Sequence, residues 1–276
     1  METFKKQCIE LRKQDYSLLE IAKLTGRSKT SIYYHIRGLP LSSKKILQTR
    51  KNNAEHLRNL ALSRKGKSDK SFLTFDQWSP SSVSLIAHLI FDGEIKRTGC
   101  IYNNRNEALL QKVELCMKEI YRFHPSRYFN TLTGVSRISY HNVALGPYIK
   151  QKSKQLLEEV IQLPKDLKRE FLVAFFDDEG CMDFRPGINA RRIRGYQKDT
   201  SILKLITTLL SDFGIKSRFQ KPNEVVIIGK ENLIKFQKEI NFSPGVYING
   251  NRTNSIWKKH LEKRDLLDRA IASFKV

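Results

Sequence analysis

Residues 80–276 carry the same order of hydrophobic and polar segments twice. Each half opens on an apolar, helix-length run that ends in acid plus glycine: SLIAHLIFDGEIK at 84–96 and FLVAFFDDEGCMDF at 171–184. Short strand-like runs follow, GCIYNN in the first half and INARRIRGY in the second. An amphipathic helix is predicted next in each half, over 105–121 and 199–213. Strand-like runs at 127–133 with 135–141, and at 215–220 with 224–229, come after it. A further helix closes each half, over 143–160 and 231–240. The expected fold class is α+β, built from tandem αββαββα repeats over residues 80–160 and 161–276.

Residues 1–41 read instead as three short helices, a small all-α domain. Phe4, Cys8, Ile9 and Leu11 line one face of the first. Ser17 to Glu20, SLLE, has capping-box spacing, with a hydroxyl at the N-cap and a carboxylate three residues on. The second helix, LLEIAKLT, stops at Gly26, which can take the left-handed turn conformation. Ser28 can cap a third helix, KTSIYYHIR, that ends at Gly38 with Pro40 just beyond. Ala22 lets the two later helices cross closely, and Ile21 and Ile32 supply the core between them. The arrangement resembles the helix-turn-helix of bacterial and archaeal DNA-binding proteins, whose second helix enters the major groove. That resemblance implies that Lys29, Thr30, Tyr33, Tyr34 and Arg37 face DNA. Thr25 and Arg27 stand where such motifs usually carry apolar residues, and the competing reading is a plain helical cap on another domain.

Charge sharpens the choice of partner. The 276 residues hold 50 Lys+Arg against 28 Asp+Glu, a net charge of +22, while 40% hydrophobic content is enough for packed cores. A surplus that large bears on partners rather than fold, and it favours a polyanion, nucleic acid ahead of a membrane surface. Residues 42–79 concentrate it: between Ser42 and Lys70, nine Lys/Arg face only Glu55 and Asp69. Ile46, Leu47, Leu57, Leu60 and Leu62 suggest a helix for part of that stretch, and SRKGKSDKS reads as a loose linker. A phosphate-tracking basic helix and a solvated tether both remain open readings of it. Cys8, Cys100, Cys116 and Cys181 form no C-x-x-C pair, so reduced intracellular thiols are expected rather than a zinc site or a disulfide framework. The longest apolar stretches are shorter than the ~20 residues of a membrane helix. A soluble, cytoplasmic, nucleoid-associated protein is expected.

The duplicated helix ends carry a more specific resemblance. Aligned on the acid-glycine, LIAHLIFDG (Leu85–Gly93) and LVAFFDDEG (Leu172–Gly180) resemble the paired signature of the LAGLIDADG homing endonucleases. The resemblance implies two repeats in one chain, a monomer with internal pseudo-two-fold symmetry, whose sheets form a saddle over double-stranded DNA. It implies that Ala87 and Ala174 allow close approach of the two motif helices, and that Asp92 and Glu179 meet at their ends as catalytic residues and metal ligands. Two adjacent carboxylates repel and raise one another's pKa, and a hard cation such as Mg²⁺ removes the conflict while keeping water for the substrate side. DNA contacts fall to Lys96 and Arg97 after the first motif and to Arg185, Arg191, Arg192 and Arg194 after the second, extended by Arg127, Arg137, Lys216 and Arg218. Three positions depart from the family's pattern. The seventh motif position, usually small, is Phe91 in one copy, bulky enough to widen the crossing, and Asp178 in the other, an extra ligand or an exposed charge. His88 replaces an apolar residue and reads as an interface histidine rather than a general base, and Asp177 and Glu94 read as cap or loop acids. The expected function is Mg²⁺-dependent, site-specific cleavage of double-stranded DNA. The alternative is a non-cleaving transcription regulator on a LAGLIDADG scaffold, as in certain sporulation regulators. An RNA-facing maturase ranks last, because side chains read the groove of double-stranded RNA poorly.

Overall fold

The structure, a computed structural model, describes residues 2–64, 71–249, 256–258 and 260–274. The chain divides into two compact units, Met1–Asp69 and Lys70–Val276. Lys65, Lys67 and Lys70 of the basic stretch lie outside the described residues. No described helix is long and apolar enough to cross a membrane.

The first unit holds α1 (Glu2–Lys13), α2 (Leu18–Thr25), α3 (Lys29–Ile36) and α4 (Ser43–Arg64). Its local chemistry follows the sequence closely. The Ser17 N–H donates to Glu20 Oε2 at 2.7 Å and the Glu20 N–H to Ser17 Oγ at 3.3 Å, closing the capping box of α2. Gly26 ends that helix at φ +67°, where a side chain would be strained. Cys8, Ile21, Ile32 and Ile36 form the core, with Phe4, Leu11, Leu18 and Ala22 against it. Ile36 joins this core and Ile9 does not, and α3 stops at Ile36, two residues before Gly38. The expected helix in the basic stretch runs from Ser43 to Arg64. Its start is tied to the three-helix core by polar contacts: Ser42 bonds to Asp15 through both its N–H and its hydroxyl, and Lys45 Nζ lies 2.8 Å from Glu20 Oε1. Leu47 and Leu57 further along are 64% and 65% exposed, so apolar burial contributes little to holding α4.

The second unit repeats one topology. The first copy runs α5 (Pro80–Phe91), β1 (Gly93–Lys96), β2 (Gly99–Asn104), α6 (Glu107–Ile120), β3 (Ser126–Asn130), β4 (Val135–His141) and α7 (Leu145–Glu159). The second runs α8 (Lys165–Asp178), β5 (Gly180–Arg185), β6 (Ala190–Tyr196), α9 (Thr200–Asp212), β7 (Ser217–Gln220), β8 (Glu224–Ile228) and α10 (Lys230–Glu239). Each copy makes a four-stranded antiparallel sheet, in the orders β1-β2-β4-β3 and β5-β6-β8-β7. This is the mixed α/β LAGLIDADG arrangement of two similar halves. One further helix, α11 (Lys263–Ala272), was not foreseen in the sequence pattern. The segment from Ser71 to Ser79 is also not a free linker. The Phe75 N–H donates to the Tyr148 hydroxyl at 2.7 Å, Trp78 Nε1–H to Glu159 at 2.7 Å, and Lys152 Nζ sits 4.7 Å from the Phe75 ring centre.

One helix pair organises this core. Helices α5 and α8 pack along each other with Ala87 and Ala174 fully buried, as their small size allows. Phe91 does not push them apart: its ring packs edge-on to Phe171 and Phe175, with centroids 5.4 and 5.2 Å away. Each helix then ends abruptly because a strand must leave against its last turn. A Cβ at Gly93 would lie 2.3 Å from the Leu89 carbonyl oxygen, and one at Gly180 would lie 2.4 Å from that of Phe176. Gly180→Ala is therefore expected to destabilise the unit by about 1–3 kcal/mol, as overpacking against rigid backbone does. A chemical-denaturation midpoint unchanged from that of the unaltered protein would contradict this packing.

Candidate active site

Asp92 and Glu179 are the C-caps of α5 and α8, and two backbone bonds fix each of them. Their N–H groups donate back to the His88 and Phe175 carbonyls at 3.1 and 2.8 Å. Their own carbonyls accept from Asn103 at 3.4 Å and Tyr196 at 3.1 Å, so the returning strand of each hairpin runs beside its motif acid. That register also brings one side-chain amide to each carboxylate: Asn104 Nδ2 donates to Asp92 Oδ2 at 3.0 Å, and Gln197 Nε2 approaches Glu179 Oε1 at 3.5 Å. Burial raises the Asp92 carboxyl to about 7, with the neighbouring Asp178 adding to the effect. Burial likewise raises Glu179 to about 7, and there Asp92 itself is the next cause. The Asp92 charge thus reaches the Glu179 carboxyl across the ends of the two helices.

Asp178 is neither a metal ligand nor an exposed charge. Its side chain is fully buried across the helix pair, with Oδ2 2.8 Å from His88 Nδ1 and Oδ1 accepting from the Tyr102 hydroxyl at 2.6 Å. Burial drives His88 down to about 3 and Asp178 well above the usual carboxylate range. Burial thus opposes both charged forms, and the contact is a fully enclosed hydrogen bond between imidazole and carboxyl. The pairing is reciprocal in position. His88 and Phe175 are fourth in their motifs, Phe91 and Asp178 seventh, and each fourth residue meets the seventh of the other helix. One contact is polar and the other aromatic. The strands compensate in size, since Tyr102 stands where the second sheet has Gly195, whose Cβ would lie 2.4 Å from the Phe175 ring.

Lys263, at the start of α11, lies beneath the same acids. It is buried, and its Nζ donates to the last carbonyls of α8, Phe176 at 3.2 Å and Asp177 at 2.6 Å. Burial lowers its pKa, while Asp177, Cys181, Asp178 and Asp92 oppose that shift. No periodicity in the sequence marked this lysine. Asp177 accepts from the Ser243 N–H at 2.8 Å and anchors that loop, and Glu94 pairs with Lys96 at 3.0 Å. Among the described residues, no cluster of three or more His, Cys, Asp or Glu side chains is set to hold a metal. Asp92 and Glu179 nonetheless suit a hard divalent cation, being two repelling oxygen donors whose remaining coordination water and phosphate oxygens could fill.

The expected DNA-contacting residues divide by the face on which they fall. Lys29, Thr30, Tyr33, Tyr34 and Arg37 are all exposed on or just after α3. Lys96 and Arg97 are exposed at the β1–β2 turn. Arg185, Arg192 and Arg194 alternate onto one face of their sheet, where Asp183 holds them: Arg185 Nε at 2.7 Å, Arg192 Nε at 2.8 Å and Arg194 Nη1 at 3.7 Å. Burial would raise Asp183, but Arg185 and Arg192 outweigh it and hold the carboxyl below its usual range. Arg194 also pairs with Glu224. Arg191 is a correction. It falls on the opposite face, donates to Ser273 Oγ at 2.6 Å and stacks 5.0 Å over Phe274, because strand alternation sends neighbouring residues to opposite sides. Arg127 is another, tied to Glu107 and Glu114 of α6 at 3.1 and 2.5 Å on the helix side of its sheet. Arg137 shares a face with Asn103, to which it donates at 2.8 Å, and Lys216 and Arg218 are exposed. Arg185, Arg191, Arg192 and Arg218 line an open cavity of about 860 Å³ at the tip of the β5–β6 hairpin.

Paired helices ending in convergent acids, each followed by a four-stranded sheet, define a LAGLIDADG-type fold. The sequence model described as the LAGLIDADG-like domain matches residues 166–241, within the second repeat. Solved structures similar to the chain include mesophilic variants of the homing endonuclease I-DmoI, at 15% identity over 60% of this chain and 94% of that one, with a TM-score of 0.44. Full-length WhiA from Thermatoga maritima is similar at 14% identity over 74% of this chain and 64% of that one, with a TM-score of 0.48. No curated protein matches the sequence.

The raised carboxyls set a sign for stability. A carboxyl whose folded pKa exceeds its unfolded value favours folding while protonated, and that advantage is lost as pH rises from about 4 to about 7. In the absence of divalent ions, Asp92→Asn or Glu179→Gln is expected to raise the thermal midpoint at pH 8 by roughly 4 °C or more. The gain should vanish below about pH 4, where the native carboxyls are protonated in both states. Calorimetric scans across that range check it, and a midpoint at pH 8 unaffected by either substitution would contradict the burial described.

Proposed function

We propose that the protein is a site-specific, Mg²⁺-dependent endonuclease of double-stranded DNA. The observation that carries this reading is the placement of Asp92 and Glu179, two half-buried carboxyls at the ends of paired helices, with the Asp92 charge opposing that of Glu179. A bound divalent cation would relieve that repulsion, activate water and offset charge developing on a phosphodiester. Asp92 and Glu179 would hold it, and Asn104 and Gln197 would orient the two carboxylates. Lys263, under the same acids, would temper their negative charge when no cation is present. The arginines around Asp183, with Lys96, Arg97, Arg137 and Arg218, would contact phosphates and base edges. In the first unit, α3 would enter a major groove as the second helix of a helix-turn-helix, with Tyr33 and Tyr34 as exposed contacts.

A second reading, a non-cleaving DNA-binding regulator, is favoured by one feature of the same site. Both carboxyls are raised to about 7, so each would be about half protonated at neutral pH, and the pair can fall short of its full negative charge without a cation. The two readings part on cleavage. The unaltered protein with Mg²⁺ is expected to linearise plasmids carrying its target, selected from a randomised library. Asp92→Asn and Glu179→Gln should each slow cutting by at least about 100-fold while binding to the same DNA persists. Binding of selected DNA with no cutting in Mg²⁺ or Mn²⁺ would establish the regulator instead.

A further inference from the structure

The two half-sites follow one plan and are not supported equally. In each, the amide carbonyl caps the segment leading into the next helix, which fixes the end that faces the acid. Asn104 Oδ1 accepts from the Asn106 N–H at 2.9 Å, and Gln197 Oε1 accepts from the Lys198 N–H at 2.8 Å. Beyond that point the halves differ. The Asn104 NH₂ lies 3.0 Å from Asp92, 3.2 Å from the Tyr102 hydroxyl and 3.5 Å from Asp178. Tyr102 is in turn held by Asp178 at 2.6 Å and rests edge-on against His88, 5.7 Å away. A chain of hydrogen bonds therefore runs from His88 in the helix interface through Asp178, Tyr102 and Asn104 to the Asp92 carboxylate. The equivalent positions in the other half are Phe175, Phe91 and Gly195, which cannot make such a chain to Gln197 and Glu179.

We infer that Asp178, clamped between His88 and Tyr102, is a positioning residue that holds Asp92 ready for a hard divalent cation, while Glu179 adapts. The inference rests on the nuclease reading of the Asp92–Glu179 site. Asp178 acts through its neighbours, since both its oxygens are engaged and its side chain is fully buried. Asparagine is its conservative substitute, because an amide has the same shape and can donate to the imidazole while accepting from Tyr102.

The test uses the full chain and Mn²⁺ alone, with free ion followed by its paramagnetic resonance signal. Asp178→Ala is expected to weaken Mn²⁺ binding by about 10-fold or more, and Asp178→Asn to restore most of it. Tyr102→Phe keeps the ring and removes one link, so it should weaken binding even if Asp178→Ala does not fold. Phe91→Leu alters the equivalent contact in the other half; it should lower the thermal midpoint and leave Mn²⁺ affinity unchanged. A metal-free readout accompanies these: hydrogen exchange at the Asn104 side-chain amide, slow in the unaltered protein, should quicken in Asp178→Ala and Tyr102→Phe. Unchanged Mn²⁺ affinity in Tyr102→Phe and Asp178→Ala, with binding abolished by Glu179→Gln, overturns the inference and leaves the nuclease reading standing. Failure of the unaltered protein to bind Mn²⁺ overturns both.

Discussion

Lengthwise packing of α5 against α8 is the constraint from which the second unit is built. Small side chains let helices approach closely, and Ala87 and Ala174 are both fully buried on this pair. Once the helices are parallel neighbours, their ends coincide, and whatever residues end them must share one small volume. Here those residues are Asp92 and Glu179, so the same packing that fills the core also forces two carboxyls out of water and against each other. The glycines that follow are consequences of the same geometry, because the chain has to leave as a strand against the final helical turn. Fold and site are in this sense a single solution.

Burying acids costs stability, and the surroundings offset that cost in different ways on the two sides. On the first side a carboxyl, an imidazole, a phenol and an amide are linked by hydrogen bonds inside the core, with His88 Nε2 left without a partner. On the second side aromatic rings do the packing, with Phe91, Phe171 and Phe175 in edge-on contact. Lys263 serves both, satisfying carbonyls at the end of α8 while placing a positive group near the acids. The Asp92 side, held by this network, is the more rigid of the two, at the expense of the folded state that carries it.

Much of this was legible in the sequence because it depends on local periodicity. The duplicated order of helices and strands, the acid-glycine endings, the capping box at Ser17 and the glycine stop at Gly26 all follow from residues a few positions apart. What could not be read depends on partners distant in the chain. Asp178 looks like an exposed acid at a helix end until His88, 90 residues away, and Tyr102 are seen to enclose it. Arg127 and Arg191 sit in basic strand runs, but one residue of register decides which side of the sheet they take, and for both it is the side facing helices. Helix α11 escaped notice because it follows the second repeat and has no counterpart in the first. The amide pair, Asn104 and Gln197, was hidden by residue type as well as distance: an Asn and a Gln at different spacings from their acids become equivalent only through strand pairing.

The unlike contacts between fourth and seventh motif positions also make the two halves obligate complements. Two copies of the first half, pressed together in the same way, would set His88 against Phe91. Two copies of the second would bury Asp178 against Phe175, with Gly195 where Tyr102 supplies a hydroxyl. Neither homotypic assembly satisfies its buried polar group. Each half therefore needs the other, and not a copy of itself, to give its enclosed polar side chain a partner.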